Sequence, residues 1–407
     1  MGTSPISLPR ADFAALPHPS TGNNRGRRQK VESSGGTLVG VATFQVNLNG
    51  ALQSIAGVLP SKPVPVATIP VDDDVNNSRF TGYAVANTGS NSITIGVNEV
   101  GTDGKIMNIL TDIQLAPGQQ KAAFFFQDPK ANQLFKGSAV LSGRNGAVFA
   151  VVALVVNQNL LTAIPVIPAA TSSSANATFA HLAIGGGYST VFTLLNTGID
   201  ALNGTLNLTG QDGNPLVASL TDGQTSVTSS NLPVAIPAGG AKYVTVTSVN
   251  KTDPTRAGWA RVSSTGGILG GVATFQLAGL NGALQTIAGV LSSAPVSVAT
   301  IPVDDDTSAN RFTGYAIANP GSSPINIKVE EVSADGTTVI ALSALSIDPG
   351  KQVASFLFQD PKARQKFQGS LVLIGQNGAS FCVVGLVQNQ GLFTAIPVVP
   401  GKAPNIN

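Results

Sequence analysis

The sequence predicts an all-β protein built from several β-sandwich domains. Only 11% of its residues are charged, and it contains 45 glycines and 25 prolines. Long charged side chains favour helices, whereas glycine, proline and aspartate favour turns. Runs of alternating large and small or apolar and polar residues stand between the turn residues, as in FTGYAVAN from Phe80 and ITIGVNEV from Ile93. This combination is typical of many short strands joined by tight turns.

An internal repeat organises the chain. The segment VATIPVDDD begins at Val66 and recurs at Val298, a period of 232 residues, and the match continues without a gap to AIPVIP and AIPVVP. Upstream, GVATFQ from Gly40 recurs from Gly271. A weaker repeat inside this period places NTG, DG and PG or AGG turns at equivalent positions. Two types of unit therefore alternate, and we expect both to share one strand order.

The repeat boundaries divide the chain into six segments. They are a polar arm (1–34), an incomplete unit (35–64), a type-one unit (65–168, unit 1), a type-two unit (169–296, unit 2), a second type-one unit (297–400, unit 3) and a tail (401–407). About seven short strands per hundred residues is the count of an immunoglobulin-like β-sandwich, and such a unit buries a core without disulfides. The predicted fold is a tandem array of immunoglobulin-like β-sandwich domains.

Three turn motifs carry a resemblance to a known group. NTG at Asn87–Gly89 follows an alternating strand, a DG turn follows at Asp103–Gly104, and Pro117–Gly118 precedes an aromatic strand. These motifs resemble the Ig-like repeats of exported bacterial proteins, including cell-adhesion-related domains. The resemblance covers about residues 65–400. It implies spacers, adhesive stalks or accessory modules of secreted enzymes, and it contributes no catalytic residue.

Charge and cysteine content exclude several classes of protein. A net charge of +2 offers no broad surface for nucleic acid, and the basic cluster from Arg25 to Lys30 is interpreted as part of a solvated arm. Cys382 is the only cysteine, so no disulfide is expected, and we predict that it is buried. No apolar run reaches the length of a membrane span.

The composition indicates an extracellular or cell-surface protein, although the first residues lack the pattern of a signal peptide. We expect the start to be a mature, engineered or truncated end.

No pattern of catalytic residues is recognisable, so we predict that the chain is not an enzyme. His18 and His181 have no partner at a catalytic spacing, and nucleophile-elbow, zinc-protease and phosphate-loop motifs are absent from the sequence. Glu99 and Glu331 occupy one position in two repeats and are interpreted as solvated strand residues. Trp259 and the phenylalanines near Phe124 are interpreted as core rather than as a sugar-binding platform.

Two aspartate triplets form the one candidate metal site. They are Asp72, Asp73 and Asp74, and Asp304, Asp305 and Asp306. Three adjacent carboxylates repel one another unless water or a cation screens them. Calcium binds six to eight oxygen ligands, so a curled loop with nearby asparagines could hold it. Two interpretations stand at this point, a calcium site and a solvated loop between domains, and no other cofactor is expected.

Residues 35–64 match only the last hairpin of the type-two unit, and the strands that should precede it are missing. Three explanations are open: upstream sequence is absent, the hairpin folds back on residues 65–168, or another chain supplies strands. The last would give self-association that propagates head to tail.

The sequence therefore predicts a non-catalytic structural or adhesive protein of the cell exterior, with a filament or surface-layer subunit as one form of it. The alternative is a carbohydrate-binding or accessory region of a secreted hydrolase, with a glycan or another surface ligand as partner.

Overall fold

The computed structural model describes residues 40–48, 51–168 and 176–401. Strands make up 63% of the structure, and no helix of the described residues reaches seven residues. This confirms the all-β prediction. The strands form several separate open sheets, an arrangement consistent with β-sandwich domains. The arm (1–34), with its basic cluster, lies outside the described residues, as do residues 402–407 of the tail.

The described chain begins with a separate hairpin. Its two strands are β1 (Ala42–Leu48) and β2 (Ala51–Val58), which pair antiparallel with a bulge opposite Val46 and Asn47. β1 pairs with no other strand of the described residues.

Unit 1 folds into two groups of strands around one core. The strands are β3 (Val66–Asp74), β4 (Arg79–Ala86), β5 (Ile93–Gly101), β6 (Ile106–Ile109), β7 (Ile113–Leu115), β8 (Gln120–Phe124), β9 (Leu134–Gly143), β10 (Ala150–Asn157), β11 (Leu160–Ile164) and β12 (Ile167–Pro168). Three short 3-10 helices cover Val75–Asn77, Phe125–Gln127 and Arg144–Gly146. The pair Asp74–Arg79 joins the two groups.

Unit 2 forms a four-stranded and a six-stranded sheet. The strands are β13 (Asn176–Ile184), β14 (Tyr188–Asn196), β15 (Leu202–Gly210), β16 (Ala218–Thr221), β17 (Ser226–Ser229), β18 (Asn231–Ile236), β19 (Ala241–Thr247), β20 (Arg256–Thr265), β21 (Leu269–Ala278) and β22 (Leu284–Leu291). β16 and β17 extend the six-stranded sheet beyond β19. They account for the extra length of the type-two sequence.

Unit 3 repeats the pairing of unit 1. The strands are β23 (Val298–Asp306), β24 (Arg311–Ala318), β25 (Ile325–Ser333), β26 (Val339–Ala341), β27 (Leu345–Ile347), β28 (Gln352–Phe356), β29 (Lys366–Gly375), β30 (Cys382–Asn389), β31 (Leu392–Ile396) and β32 (Val399–Pro400). The 3-10 helices are Thr307–Ala309, Leu357–Gln359 and Gln376–Gly378.

All three units share one strand order. In the first sheet the orders are β3-β9-β5-β7, β13-β20-β15-β18 and β23-β29-β25-β27. In the second sheet they are β8-β4-β10-β11, β19-β14-β21-β22 and β28-β24-β30-β31. The prediction that the type-two unit shares the strand order of the type-one units is confirmed for these eight strands. The strand after the DG turn differs, because β16 joins the second sheet whereas β6 and β26 join the first. Each unit encloses buried apolar side chains, with Phe149, Phe192 and Phe381 fully buried.

The last strands of the hairpin and of the three units converge at the centre of the molecule. β2 and β22 each contact both β11 and β31. Ser54 Oγ of β2 accepts a hydrogen bond from Leu161 N (2.6 Å), and its equivalent Thr286 Oγ1 of β22 accepts one from Phe393 N (2.6 Å). The hairpin therefore packs on unit 1 as the end of unit 2 packs on unit 3.

A second pair of contacts joins β2 to β31 of unit 3 and β22 to β11 of unit 1. Gly57 of β2 lies so close to Ala395 that a Cβ atom would stand 2.3 Å from the Ala395 carbonyl oxygen, and Gly57 N donates to Thr394 Oγ1 (2.6 Å). The equivalent Gly289 of β22 lies against the Ala163 carbonyl. The 232-residue repeat is thus a pseudo-two-fold relation in which the hairpin occupies the place of a fourth unit.

Candidate functional site

The aspartate triplets lie at the ends of strands β3 and β23, where side chains alternate between the two faces. Asp72 forms ion pairs with Arg79 (3.0 Å) and Lys136 (3.6 Å). Asp74 accepts hydrogen bonds from the backbone N and the side-chain amide of Asn77 (3.2 and 2.6 Å). The outer two carboxylates of the triplet in unit 1 are therefore balanced by groups of the protein.

The triplet of unit 3 is balanced by a lysine at a different position. Asp306 pairs with Lys366 (3.0 Å), and Asp304 pairs with Arg311 (3.1 Å) and accepts a hydrogen bond from Gln368 (2.8 Å). In unit 1 the positions of Lys366 and Gln368 are occupied by Leu134 and Lys136. Each triplet thus has one arginine and one lysine, although the lysine has moved by two residues along the neighbouring strand.

The middle aspartates point into the units. Asp73 and Asp305 are each 1% exposed, and each accepts a hydrogen bond from a backbone N–H (2.6 Å), that of Thr81 or Thr313. Burial raises the pKa of Asp73 to about 7 and that of Asp305 to about 6. The interpretation of the triplets as solvated loops is wrong for these two residues.

A glutamate accompanies each buried aspartate. Glu99 and Glu331 are both buried, so the prediction that they face solvent is wrong. Glu99 Oε2 accepts hydrogen bonds from Asn108 Nδ2 (2.7 Å) and Asn132 N (3.3 Å), and Glu331 Oε1 accepts one from Arg364 N (3.2 Å). Burial raises the pKa of both glutamates. Both carboxyl groups lie inside the fold, although Glu331 Oε2 accepts no hydrogen bond from the described residues.

The structure does not gather the triplets into a metal site. Among the described residues no group of three or more His, Cys, Asp or Glu side chains could hold a metal ion. The predicted calcium ligands Asp72, Asp73, Asp74, Asp304, Asp305 and Asp306 alternate between ion pairs and buried hydrogen bonds. The repulsion that suggested a cation is relieved by arginine, lysine and burial.

A cavity of about 410 Å³ lies where the central strands converge. Apolar residues from related positions line it in pairs, for example Val58 with Val290 and Ile164 with Ile396. Lys62 is the only ionisable side chain that the described residues contribute to its wall.

The joint between units 1 and 2 is the first of two sites that sequence reasoning missed. Tyr243 is buried, and its hydroxyl lies between two backbone oxygens, of Val71 (2.7 Å) and Gly137 (2.6 Å). The turn after β5 meets the turn before β19, where Ala241 N donates to Thr102 O (3.1 Å). A lone tyrosine in an alternating strand gives no sign that it bonds to another unit.

The joint between units 2 and 3 repeats the same backbone contact. Gln352 N donates to Gln211 O (3.2 Å), and Gln352 and Gln211 are the equivalents of Ala241 and Thr102. The Gln352 side chain also donates to Ala180 O (3.0 Å) and lies 3.0 Å from His181 Nδ1. Trp259 Nε1 donates to Gly350 O (2.7 Å).

His181, Cys382, Trp259 and Phe124 all occupy buried or half-buried positions in the fold. Burial lowers the pKa of His181 to about 4, so its imidazole is neutral. Cys382 is fully buried as predicted, and burial raises the pKa of its thiol to about 11. Trp259 and Phe125 belong to buried cores, while Phe124 is half-buried on the outer face of unit 1.

Comparison with known proteins adds no relative. No known protein-family model matches the chain, and no curated protein matches it. Within the described ranges, no helix is long and apolar enough to cross a membrane.

Proposed function

We propose that this chain is a non-catalytic extracellular structural or adhesive protein built of tandem immunoglobulin-like domains. The repeated joint is the observation that carries the proposal. The same backbone hydrogen bond links unit 1 to unit 2 and unit 2 to unit 3, and buried side chains surround it. Joints of this kind hold successive units at fixed angles, which suits a spacer or an assembly subunit better than a set of independently moving domains.

The surroundings of the ionisable groups support a role without catalysis. The carboxyl groups with raised pKa values are buried inside strands, and His181 is half-buried between two units. A general acid or base must come within hydrogen-bond reach of a substrate. Shifts of this kind also arise in structural networks, and here burial is the main cause of the raised pKa values, with a smaller contribution from neighbouring carboxylates.

The exterior location is supported by composition. Few charged residues, a single buried cysteine and polar Ser, Thr and Asn-rich turns fit the exported Ig-like repeats that the turn motifs resemble. As part of the proposal, copies of the chain associate through the incomplete unit (35–64). Its strand β1 has only one neighbour among the described strands.

Light scattering of the purified chain over a wide range of concentration tests this role. We expect the mass to rise with concentration and filaments or sheets to appear in electron microscopy. A chain lacking residues 1–64 should remain monomeric and keep its β-sheet circular dichroism. A full-length chain that stays monomeric at high concentration and binds glycans on an array would contradict the proposal and favour a carbohydrate-binding module.

A further inference from the structure

Strand β1 shares the sequence ATFQ with β21 but lacks one of the two strands that neighbour β21. Residues 40–45 and 271–276 are both GVATFQ. β21 lies between β14 and β22, whereas β1 pairs only with β2. The two hairpins also share register, including the bulge, because Phe44 pairs with Ala56 as Phe275 pairs with Ala288. The edge of β1 that corresponds to β14 is therefore open in the described part of the chain.

The backbone of β1 presents hydrogen-bonding groups at this edge. In unit 2, Ala278 N donates to Gly187 O on the β14 side (3.0 Å). Antiparallel ladders alternate, so Thr274 and Gln276 also direct their backbone groups towards β14. By the repeat, Thr43 and Gln45 direct theirs towards the open edge. β1 contains no charge and no proline, the usual protections of an exposed edge.

The outer face of unit 1 beside this hairpin is apolar and uncovered. Its half-buried residues are Ala84, Ala86, Ala150 and Val152. In unit 3 the equivalent residues are buried in one cluster with residues of β13 such as Ala177 and Ala180, and they are Ala316, Ala318, Cys382 and Val384. Strand β13 contacts β24 and β30 directly. The two faces differ because β13 covers these residues in unit 3, whereas in unit 1 the described hairpin packs on the neighbouring Phe80, Phe124 and Leu154.

A polar side chain marks the same difference. Gln352 at the rim of the face of unit 3 is 4% exposed and bonds to Ala180 and His181 of β13. Its equivalent Gln120 is half-buried and makes no side-chain hydrogen bond with the described residues. The amide of Gln120 is therefore placed to bond to a strand that takes the position of β13.

We propose that the outer face of unit 1 and the open edge of β1 form one docking surface for two consecutive strands of type-two sequence on another polypeptide. In unit 2 the consecutive strands β13 and β14, which belong to different sheets, provide both contacts, since β13 covers the face of unit 3 and β14 pairs with β21. Residues 176–196 contain no Asp, Glu, Lys or Arg. The partner is accordingly an uncharged strand–turn–strand segment with alternating apolar residues. This inference rests on the proposed structural role, and it is an alternative to a second copy of the chain as the partner of the incomplete unit.

Fluorescence anisotropy with a labelled synthetic peptide of residues 176–196 tests the docking surface on the full chain. The matched control is the type-one segment of residues 298–318, which has the same length and also carries two consecutive strands of the two facing groups. We expect saturable binding of the type-two peptide, at least about tenfold tighter than the control. Hydrogen exchange should show that the bound peptide protects Thr43 and Gln45.

Two variants locate the binding. Gln45→Pro removes a donor at the open edge only, where proline is tolerated, and Val152→Asp places a charge on the half-buried face. Each should weaken peptide binding at least about tenfold, while Ile106→Thr on the exposed strand β6 leaves it unchanged. Circular dichroism verifies that all three variants are folded. Equal binding of both peptides, or full binding by both surface variants, would overturn the proposal.

Hydrogen exchange and light scattering of the chain without peptide distinguish the remaining explanations of the open edge. Protection of Thr43 and Gln45 without peptide at every concentration would show that the chain covers the edge itself, which overturns the inference. Protection that rises with concentration, together with rising mass in light scattering, would assign the surface to a second copy. That result would reject the type-two partner but uphold the proposed self-association. A strictly monomeric chain that binds the peptide would uphold this inference and reject self-association.

Discussion

Units 1 and 3 have nearly the same sequence and the same strand order, yet their outer faces have different surroundings. Val384 of unit 3 is 6% exposed beneath β13, while Val152 of unit 1 is half-buried at the surface. Each unit has its own core, and the outer sheet of unit 3 belongs in addition to the core of unit 2. Burial at a repeated position therefore depends on the neighbouring unit as well as on the repeat itself.

The largest expected effect separates these two valines. Val384→Asp places a carboxylate in an apolar interface, so we expect the free energy of unfolding to fall by about 3–5 kcal/mol. Val152→Asp should cost about 1 kcal/mol or less, because water reaches that site. Urea unfolding of both full-length variants, followed by circular dichroism, measures the difference. Equal losses would mean that the two faces are equally covered.

Titration of the buried aspartates gives a second comparison. Because burial raises the pKa of Asp73 to about 7, the folded chain keeps a proton that the unfolded chain releases near its ordinary pKa. The stability linked to that proton is present at acidic pH and is lost as the pH rises through about 7.

Asp73→Asn keeps an acceptor for Thr81 and removes this loss, so it should stabilise the chain at pH 8 by about 2–3 kcal/mol and have little effect at pH 4. Asp305→Asn should show a smaller gain, since the pKa of Asp305 is raised only to about 6. Unfolding curves at both values of pH check this pair. Stabilisation at pH 4 with none at pH 8 would contradict the assignment of the raised pKa.

Removing one oxygen atom should weaken the joint between units 1 and 2. Tyr243→Phe removes the hydroxyl that lies between Val71 O and Gly137 O. We expect the interface to lose about 1–2 kcal/mol, because a buried hydrogen bond is removed without filling its place. Calorimetry should show a lower melting temperature, and limited proteolysis should become faster near this joint. An unchanged melting temperature would show that the tyrosine hydroxyl contributes nothing to the joint.

The smallest effect is expected at the free edge of unit 1. Ile106 is 57% exposed on β6, and the equivalent residue of unit 3 is Thr338. Ile106→Thr should change the free energy of unfolding by less than about 0.5 kcal/mol, as exposed positions usually do. Denaturant unfolding checks this value, and a loss above about 1 kcal/mol would imply a contact that the structure does not contain.

The sequence was sufficient to predict the strands, the repeat and the shared strand order, because turn motifs and alternation are local signals. The same alternation contained an overlooked signal for the buried acids. Glu99 lies in phase with the buried residues Ile95 and Val97, and Asp73 lies in phase with Ile69 and Val71. Residue type suggested solvent, whereas the period of two placed these carboxyl groups on the inner face.

The joints could not be predicted in the same way. Tyr243 and Gln352 bond to backbone oxygens in other units, and those partners come together only when the units are packed. Their positions depend on the angle between sandwiches, which no local pattern specifies. The aspartate triplets suggested a cation site for a related reason. The lysines that form ion pairs with them, Lys136 and Lys366, lie on another strand and cannot be assigned to the triplets from the sequence.

Hydrogen exchange of the free chain compares the two strands directly, because β1 and β21 share the sequence ATFQ in two different surroundings. We expect the amides of Thr43 and Gln45 to exchange rapidly at the open edge. Those of Thr274 and Gln276, which face β14, should exchange at least about a hundredfold more slowly. Equal protection of the two strands in a dilute, monomeric sample would show that the edge of β1 is not open.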